Sequence, residues 1–111
     1  MDEIVLFSQY PQWSCTTSTS SFIQAAKWLS ANGEPFSKVT TIDRWYNHPL
    51  YIRALGEILA EDFKSNFEEG SDRDDTLILF TAHSIPIDFM SRGDTYPHEI
   101  TASASLVAQY L

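Results

Sequence analysis

The sequence is poor in cysteine and in basic residues, and these shortages exclude several classes of protein. Its 111 residues include one cysteine, Cys15, which alone forms neither an internal disulfide nor a complete zinc site. Seven Lys and Arg stand against fifteen Asp and Glu, which gives a net charge of −8. Because nucleic-acid-binding proteins neutralise phosphates with a basic surface, we expect no nucleic-acid partner.

Long apolar runs and common signature motifs are also missing. No stretch approaches the ~20 apolar residues of a membrane-spanning helix. The residues after Met1 are acidic, unlike those of a signal or transit peptide. Glycine-rich nucleotide loops, G-x-S-x-G, C-x-x-C and H-E-x-x-H do not occur. These features predict a small, acidic, globular protein without disulfides.

Hydrophobic patterning predicts an alternation of strands and helices. Apolar runs at residues 3–8, 39–42 and 77–80 are typical of buried parallel strands. Helical periodicity follows each run, from residue 22 to the stop at Gly33 and Pro35, from Pro49 to Phe67, and from residue 94 to 111. In the last helix we expect Ile100, Ala104, Val107 and Leu111 to face inward. Right-handed crossovers then predict an α/β fold, a parallel sheet with flanking helices, as in part of a Rossmann-like domain.

Both ends of the chain interrupt this pattern. The first strand begins almost at the first residue, and the last helical pattern reaches Leu111 without a Gly, Asn or Pro stop. Since natural domains usually end in a few loose polar residues, we expect residues 1–111 to be an internal fragment of a longer protein.

Three loops leave the predicted strands at their carboxyl ends, where open parallel sheets bind ligands. These loops, at 9–21, 43–48 and 81–94, are rich in aromatic, histidine and arginine side chains. Within the last loop, His83 follows the predicted strand closely and precedes Ile85-Pro86. The residues alone leave two roles open for His83, a functional one and a structural hydrogen bond to a loop carbonyl.

Four segments together resemble ferrochelatase, the family that inserts ferrous iron into protoporphyrin IX to form protohaem, the last step of haem biosynthesis. They read FSQYPQWSCTT at 7–17, TIDRW at 41–45, LFTAHSIP at 79–86 and RGDTYP at 92–97. Their order and gaps are those of the family, and the resemblance covers nearly all of the chain. Family members are considerably longer. The resemblance therefore implies a metal chelatase (a lyase), of which residues 1–111 form a central part of the chelatase-type α/β core.

The resemblance also assigns roles to individual residues. It implies that His83 is catalytic, by taking pyrrole protons or by contacting the metal first. The porphyrin-binding residues it implies are Tyr10, Trp13, Ser14, Thr16, Thr17, Trp45 and Ser84. The alternatives are a hydroxyl-rich helix cap for the 14–17 loop and an ordinary half-buried aromatic for Trp45. Asp43 and Arg44 are expected to form a structural ion pair or a cap rather than to perform chemistry.

Two further metal roles follow from the resemblance alone. His48 matches a histidine of a surface site proposed for metal delivery in eukaryotic members, whereas a helix-start cap is its alternative. Cys15 matches one ligand of a [2Fe–2S] cluster in animal members, whose other three ligands would lie in a full-length parent. Its alternative is a small, half-buried thiol. Ser18 departs from the family, which usually has glycine there.

Partners and location are implied in the same way. The partners would be protoporphyrin IX and ferrous iron, with membrane contact through segments outside this chain and a homodimer of the parent. The location would be the matrix side of the mitochondrial inner membrane in a eukaryote, and otherwise the cytoplasm. The family's opposing cleft wall, with a second histidine and a glutamate, would follow Leu111, so we expect no useful turnover from the isolated chain. Two other hypotheses remain: a non-catalytic tetrapyrrole-binding relative that has lost metal insertion, and an acidic α/β interaction module with chance matches.

Overall fold

The computed structural model describes residues 3–35, 38–66 and 76–111, which form a parallel two-stranded sheet with flanking helices. The elements are β1 (Ile4–Phe7), a π-helical turn (Cys15–Thr19), α1 (Ser20–Ala31), β2 (Val39–Ile42), α2 (Pro49–Asn66), α3 (Ile87–Ser91) and α4 (Tyr96–Tyr110). The strands pair in parallel from Ile4 opposite Val39 to Phe7 opposite Ile42. The predicted α/β class is confirmed.

The prediction of a third strand at residues 77–80 is wrong. Residues 77–80 form no strand, and within the described ranges the sheet holds only β1 and β2. Leu77 is 89% exposed and Leu79 is 79% exposed. An apolar run indicates a tendency toward burial, but a strand also needs a partner backbone at hydrogen-bonding distance. No such partner lies beside this run among the described residues.

The helix boundaries follow local signals closely. Helix α1 ends in a Schellman motif: the Gly33 N–H donates to the Ser30 carbonyl and the Glu34 N–H to the Leu29 carbonyl, at 3.3 and 3.0 Å. Gly33 has φ +69°, a conformation that favours glycine. Helix α2 starts at Pro49 as predicted. Phe67, the predicted end of this helix, lies outside the described residues.

The inward face of α4 differs from the apolar stripe predicted for it. Its buried residues are Glu99, Ser103 and Val107, spaced four apart. Ile100 and Ala104 are half-buried, and Leu111 is 47% exposed. Apolar periodicity cannot predict this stripe, because two of its three members are polar and are buried through hydrogen bonds to distant segments.

Apolar burial is limited and the molecule is elongated. Among the described residues, the buried apolar side chains are Leu29, Ile52 and Val107. The radius of gyration is 18.7 Å, against about 13 Å for a compact domain of this length. None of the helices in the described ranges is long and apolar enough to cross a membrane.

Candidate functional site

A cavity of about 300 Å³ lies where the β1–α1 loop, the segment before α3 and the start of α4 meet. Its lining comprises Tyr10, Gln12, Ser14, Thr16, Thr17, His83, Ile85 and Tyr96. Five of the residues implied for the site are thus brought together, Tyr10, Ser14, Thr16, Thr17 and His83. They come from two segments about 65 residues apart in the sequence, the predicted loops 9–21 and 81–94. Only the first of these loops follows a strand, so the carboxyl edge of the sheet accounts for one side of the cavity.

His83 is exposed and lines this cavity together with a hydroxyl wall, the residues Ser14, Thr16 and Thr17. The structural alternative required a hydrogen bond from its imidazole to a loop carbonyl. In the part of the chain that the structure describes, the His83 side chain has no hydrogen bond or ion pair. A neutral imidazole carries one nitrogen lone pair that accepts a proton. The arrangement therefore leaves this ring available to a ligand in the cavity.

The hydroxyl wall is organised by a buried carboxylate that the sequence analysis did not single out, Asp94. Its Oδ2 accepts the Ser14 hydroxyl at 2.8 Å and the Cys15 N–H at 2.9 Å, and its Oδ1 accepts the Tyr96 N–H at 2.9 Å. Burial opposes the charge of Asp94, but hydrogen bonds from the Tyr96 and Cys15 N–H groups and from the Cys15 and Ser14 side chains together hold the pKa of this carboxyl below its usual value. Asp94 is thus an anion that both starts α4 and anchors the 14–17 loop.

The charge of Asp94 decides which hydroxyl groups of the loop donate hydrogen bonds and which accept them. Ser14 has one hydroxyl proton and donates it in a hydrogen bond to the Asp94 carboxylate. In the 2.9 Å bond between the Ser14 and Thr16 hydroxyls, Thr16 is therefore the donor. Ser14 Oγ also accepts the Thr16 N–H at 3.3 Å. The 14–17 loop consequently acts as the predicted cap and lines the cavity at the same time.

The carboxylate of Asp94 also changes the pKa of Cys15. Hydrogen bonding to Asp94, followed by partial burial and by the charge of Asp94, raises the pKa of the Cys15 thiol. Cys15 is half-buried and does not line the cavity. No group of three metal-ligating side chains occurs within residues 3–35, 38–66 and 76–111. Cys15, His48 and His83 therefore share no metal site there.

His48 acts as its alternative role predicts. Its Nδ1 accepts the Leu50 N–H at 3.3 Å, which caps the first turn of α2. The ring lies outside the cavity lining.

Trp45 also lies outside the lining, packed as a half-buried aromatic. It stacks on Phe7 with ring centroids 5.8 Å apart and meets Tyr51 edge-on at 4.9 Å. Its Nε1–H donates to the Ser8 carbonyl at 2.8 Å. Trp45 thereby holds the end of β1, from which the cavity loop departs. Ser84 is exposed beside His83 and is not part of the lining either.

A second buried carboxylate, Glu99, supports the loop from behind. Its Oε2 accepts the Trp13 N–H at 2.7 Å, and its Oε1 accepts Arg44 Nη1 at 2.6 Å. The Arg44 guanidinium lies 5.4 Å from the Trp13 ring centroid and also pairs with Asp43 at 3.2 Å, as expected. Trp13 is therefore placed behind the cavity wall. No local pattern marks Glu99, because its partners lie 55 and 86 residues away in the sequence.

Ser18 fits its position in spite of the departure from glycine. Its side chain is fully buried, and its hydroxyl pairs with that of Ser8 at 3.3 Å. Ser8 Oγ in turn accepts the Tyr10 N–H at 3.2 Å. The extra hydroxyl thus ties the turn to the end of β1.

Comparison with known proteins gives one consistent family. The family model described as Ferrochelatase matches residues 1–111. The mitochondrial ferrochelatase of Drosophila melanogaster is 44% identical over 111 residues, which cover 99% of this chain and 28% of the relative. The mitochondrial ferrochelatase of Homo sapiens is 37% identical over 113 residues, covering 100% of this chain and 26% of the relative. The ferrochelatase of Citrifermentans bemidjiense is 37% identical over 109 residues, covering 98% and 33%.

The chain thus spans about a quarter to a third of the length of these relatives. The match nevertheless runs from end to end of the chain, and three of the four segments that carry the resemblance meet around one cavity. On these grounds the chain belongs to the ferrochelatase family.

Proposed function

We propose that this chain supplies one wall of the porphyrin cleft of a ferrochelatase, which inserts ferrous iron into protoporphyrin IX to form protohaem. The observation that carries the proposal is the cavity in which the unpartnered imidazole of His83 faces the loop of Tyr10, Ser14, Thr16 and Thr17. Its volume, about 300 Å³, is at the lower end for ligand sites, as suits one part of a larger cleft.

The chemistry requires a proton acceptor beside the macrocycle. Two pyrrole N–H protons must leave as the divalent iron enters, so that charge is balanced. His83 would take these protons one after the other and pass each to water, since its ring is exposed. Tyr10 and Thr17 would contact the macrocycle from the loop, while Ser14 and Thr16 keep the loop in shape through Asp94.

The isolated chain is proposed to have no useful turnover. The relatives are three to four times longer than this chain. Of the residues that line the cavity, one is a histidine, His83. Holding the macrocycle between two walls would distort it and expose its nitrogen lone pairs, and one wall cannot do this. The rest of the machinery would come from a longer parent.

A [2Fe–2S] cluster does not fit the residues of this chain. Such a cluster needs four ligands, whereas the chain has one cysteine, and the carboxylate of Asp94 disfavours its thiolate. A cluster would therefore belong only to a parent that supplies three more ligands, and no step of the reaction depends on it. The metal-delivery role of His48 likewise stays a proposal, since its ring caps α2.

We propose a mitochondrial location, on the matrix side of the inner membrane, for a eukaryotic source, and a cytoplasmic one otherwise. The relatives from Drosophila and human are named mitochondrial, and the bacterial one is not. Membrane association and a homodimer would belong to the parent protein. Protease protection of the tagged parent in isolated mitochondria tests this location.

Binding and turnover test the function in two steps. The 111-residue chain is titrated with protoporphyrin IX, and the fluorescence of the porphyrin is followed. The chain then replaces the matching segment of the Drosophila relative, and protohaem formation from ferrous iron is measured. We expect binding by the chain and turnover by the chimera only. Absence of binding by a chain with native circular dichroism would leave an acidic interaction module.

Histidine variants in the chimera test the assignment of the base. We expect His83→Ala to lower turnover about 100-fold or more, as loss of a general base does. His98→Ala is the matched control, because His98 is an exposed histidine of α4 outside the cavity, and it should change turnover less than twofold. Equal effects of the two variants would refute the role of His83. A chimera that binds porphyrin without forming protohaem would instead support the non-catalytic relative.

A further inference from the structure

The carboxylate of Glu99 joins three elements behind the cavity wall. It accepts the main-chain N–H of Trp13, the guanidinium of Arg44 from the β2–α2 loop, and the Thr95 hydroxyl at 2.7 Å from the start of α4. Glu99 itself is 4% exposed. Burying a carboxylate costs free energy unless its oxygens accept hydrogen bonds. Here three short bonds from three different segments stabilise the charge of Glu99.

The bond to Trp13 bears directly on the cavity. Gln12 and Ser14, on either side of Trp13, both line the cavity. A hydrogen bond that fixes the Trp13 main chain therefore fixes the direction in which both neighbours enter. Gln12 is held further by its amide, which donates to the Ser103 hydroxyl at 3.1 Å one turn beyond Glu99.

The bond to Arg44 positions the side chain of Trp13. The guanidinium lies over the indole ring while it pairs with Glu99. Arg44 is 39% exposed and also pairs with Asp43, which is itself 42% exposed. Without the charge of Glu99, Arg44 would remain solvated beside Asp43 and would no longer be held against the ring.

We propose that Glu99 is a positioning residue for the porphyrin cleft, acting through Trp13 and Arg44 to hold the Gln12–Ser14 segment in the lining that it shares with His83. This inference rests on the proposed function, because it assumes that the cavity takes a porphyrin. Glu99 lines no part of the cavity and would not touch the macrocycle.

The test is a double-mutant cycle on the full 111-residue chain. Glu99→Gln keeps one acceptor oxygen, which can serve Trp13 or Arg44 but not both, and Arg44→Gln removes the cation. The dissociation constant for protoporphyrin IX is measured for both variants and for the double variant. Each single variant should bind about tenfold more weakly, as a small misplacement of a wall predicts. The double variant should also lose about tenfold, because the two residues act as one unit.

The matched control is Glu57→Gln. Glu57 forms an exposed ion pair with Arg53 at 2.7 Å on α2, far in sequence from the loop. This variant should bind porphyrin like the wild type. Amide hydrogen exchange separates positioning from global stability: peptides covering residues 10–17 should exchange faster in Glu99→Gln, while peptides of α2 keep wild-type protection.

The outcomes distinguish the two proposals. If the wild-type chain binds porphyrin but Glu99→Gln binds equally well, or if the two losses multiply to about 100-fold, positioning by Glu99 is overturned and the proposed function stands. If the wild-type chain binds no porphyrin, the proposed function fails and the inference fails with it, even where exchange near Trp13 responds. Uniformly faster exchange over the whole Glu99→Gln chain would make Glu99 a purely structural residue and would also overturn the inference.

Discussion

Replacing Asp94 with asparagine removes one charge from the centre of the candidate site and leaves the shape of the side chain unchanged. Asp94 is 6% exposed. One of its oxygens accepts the Cys15 N–H and the Ser14 hydroxyl, and the other accepts the Tyr96 N–H. Asparagine has one carbonyl oxygen in place of the two carboxylate oxygens, and its NH2 group cannot accept a hydrogen bond. Because the Cys15 and Tyr96 N–H groups donate to different oxygens of Asp94, one of these two N–H groups would lose its acceptor.

The size of the effect follows from these bonds. Losing one hydrogen bond to a charged group and leaving its buried N–H unpaired costs about 2 kcal/mol. Losing the negative charge at the start of α4 costs about 0.5 kcal/mol more. We expect Asp94→Asn to lower the free energy of unfolding by about 2–3 kcal/mol at pH 7, measured by urea denaturation of the 111-residue chain.

The dependence on pH has a definite sign. The pKa of Asp94 is lowered in the folded chain, so its contribution is fully present above its ordinary pKa of about 3.9 and is lost as the pH falls through the folded-state pKa. The difference in unfolding free energy between wild type and variant should be constant from pH 8 to about pH 5 and should shrink below about pH 4.

Cys15 provides an independent readout, because it is the only cysteine of the chain. Asp94 raises the pKa of this thiol, so Asp94→Asn should bring the pKa down toward its ordinary value. The pH profile of Cys15 alkylation should move to lower pH in the variant.

Asp88→Asn is the control for both readouts. Its carboxylate is 75% exposed and pairs with Arg92 at 3.7 Å, a surface pair worth about 0–1 kcal/mol. The reasoning is refuted if Asp94→Asn unfolds within about 0.5 kcal/mol of Asp88→Asn at pH 7 and Cys15 alkylates with an unchanged pH profile.

Three further substitutions test the packing around the site, each by urea denaturation. Ser18→Ala should cost about 1 kcal/mol, because it leaves the buried Ser8 hydroxyl without one partner, and an unchanged midpoint would contradict this. Gly33→Ala should cost about 1–2 kcal/mol, because φ is +69° and the surrounding space is open, so that only backbone strain acts. Val107→Ala should cost about 2 kcal/mol or more, since this side chain is 2% exposed; a smaller loss than for Gly33→Ala would mean that α4 is poorly packed.

Much of the fold and part of the site could be predicted from local patterns. The parallel pairing of β1 with β2, the start of α2 at Pro49 and the stop of α1 at Gly33 all follow from signals that act over a few residues. The rule that ligands bind at the carboxyl ends of parallel strands accounts for Tyr10, which follows β1, but not for His83, because residues 77–80 form no strand. The ordered segments also predicted the family, which the comparisons confirm.

The tertiary structure decided the features that depend on a partner far away in the sequence, which are the pairing of the third predicted strand and the burial of polar groups. The run 77–80 has a strand's composition but no partner backbone within the described residues, so it stays exposed. Asp94 and Glu99 are acidic and would be assigned to the surface from sequence, yet both are buried by bonds that span 79 and 86 residues. The sequence by itself thus determined the order β1, α1, β2, α2 and the last helix α4, because periodicity and turn preference are local properties. Which polar groups are buried behind the cavity was decided by the tertiary structure, because a buried charge is tolerated only where distant donors converge on it.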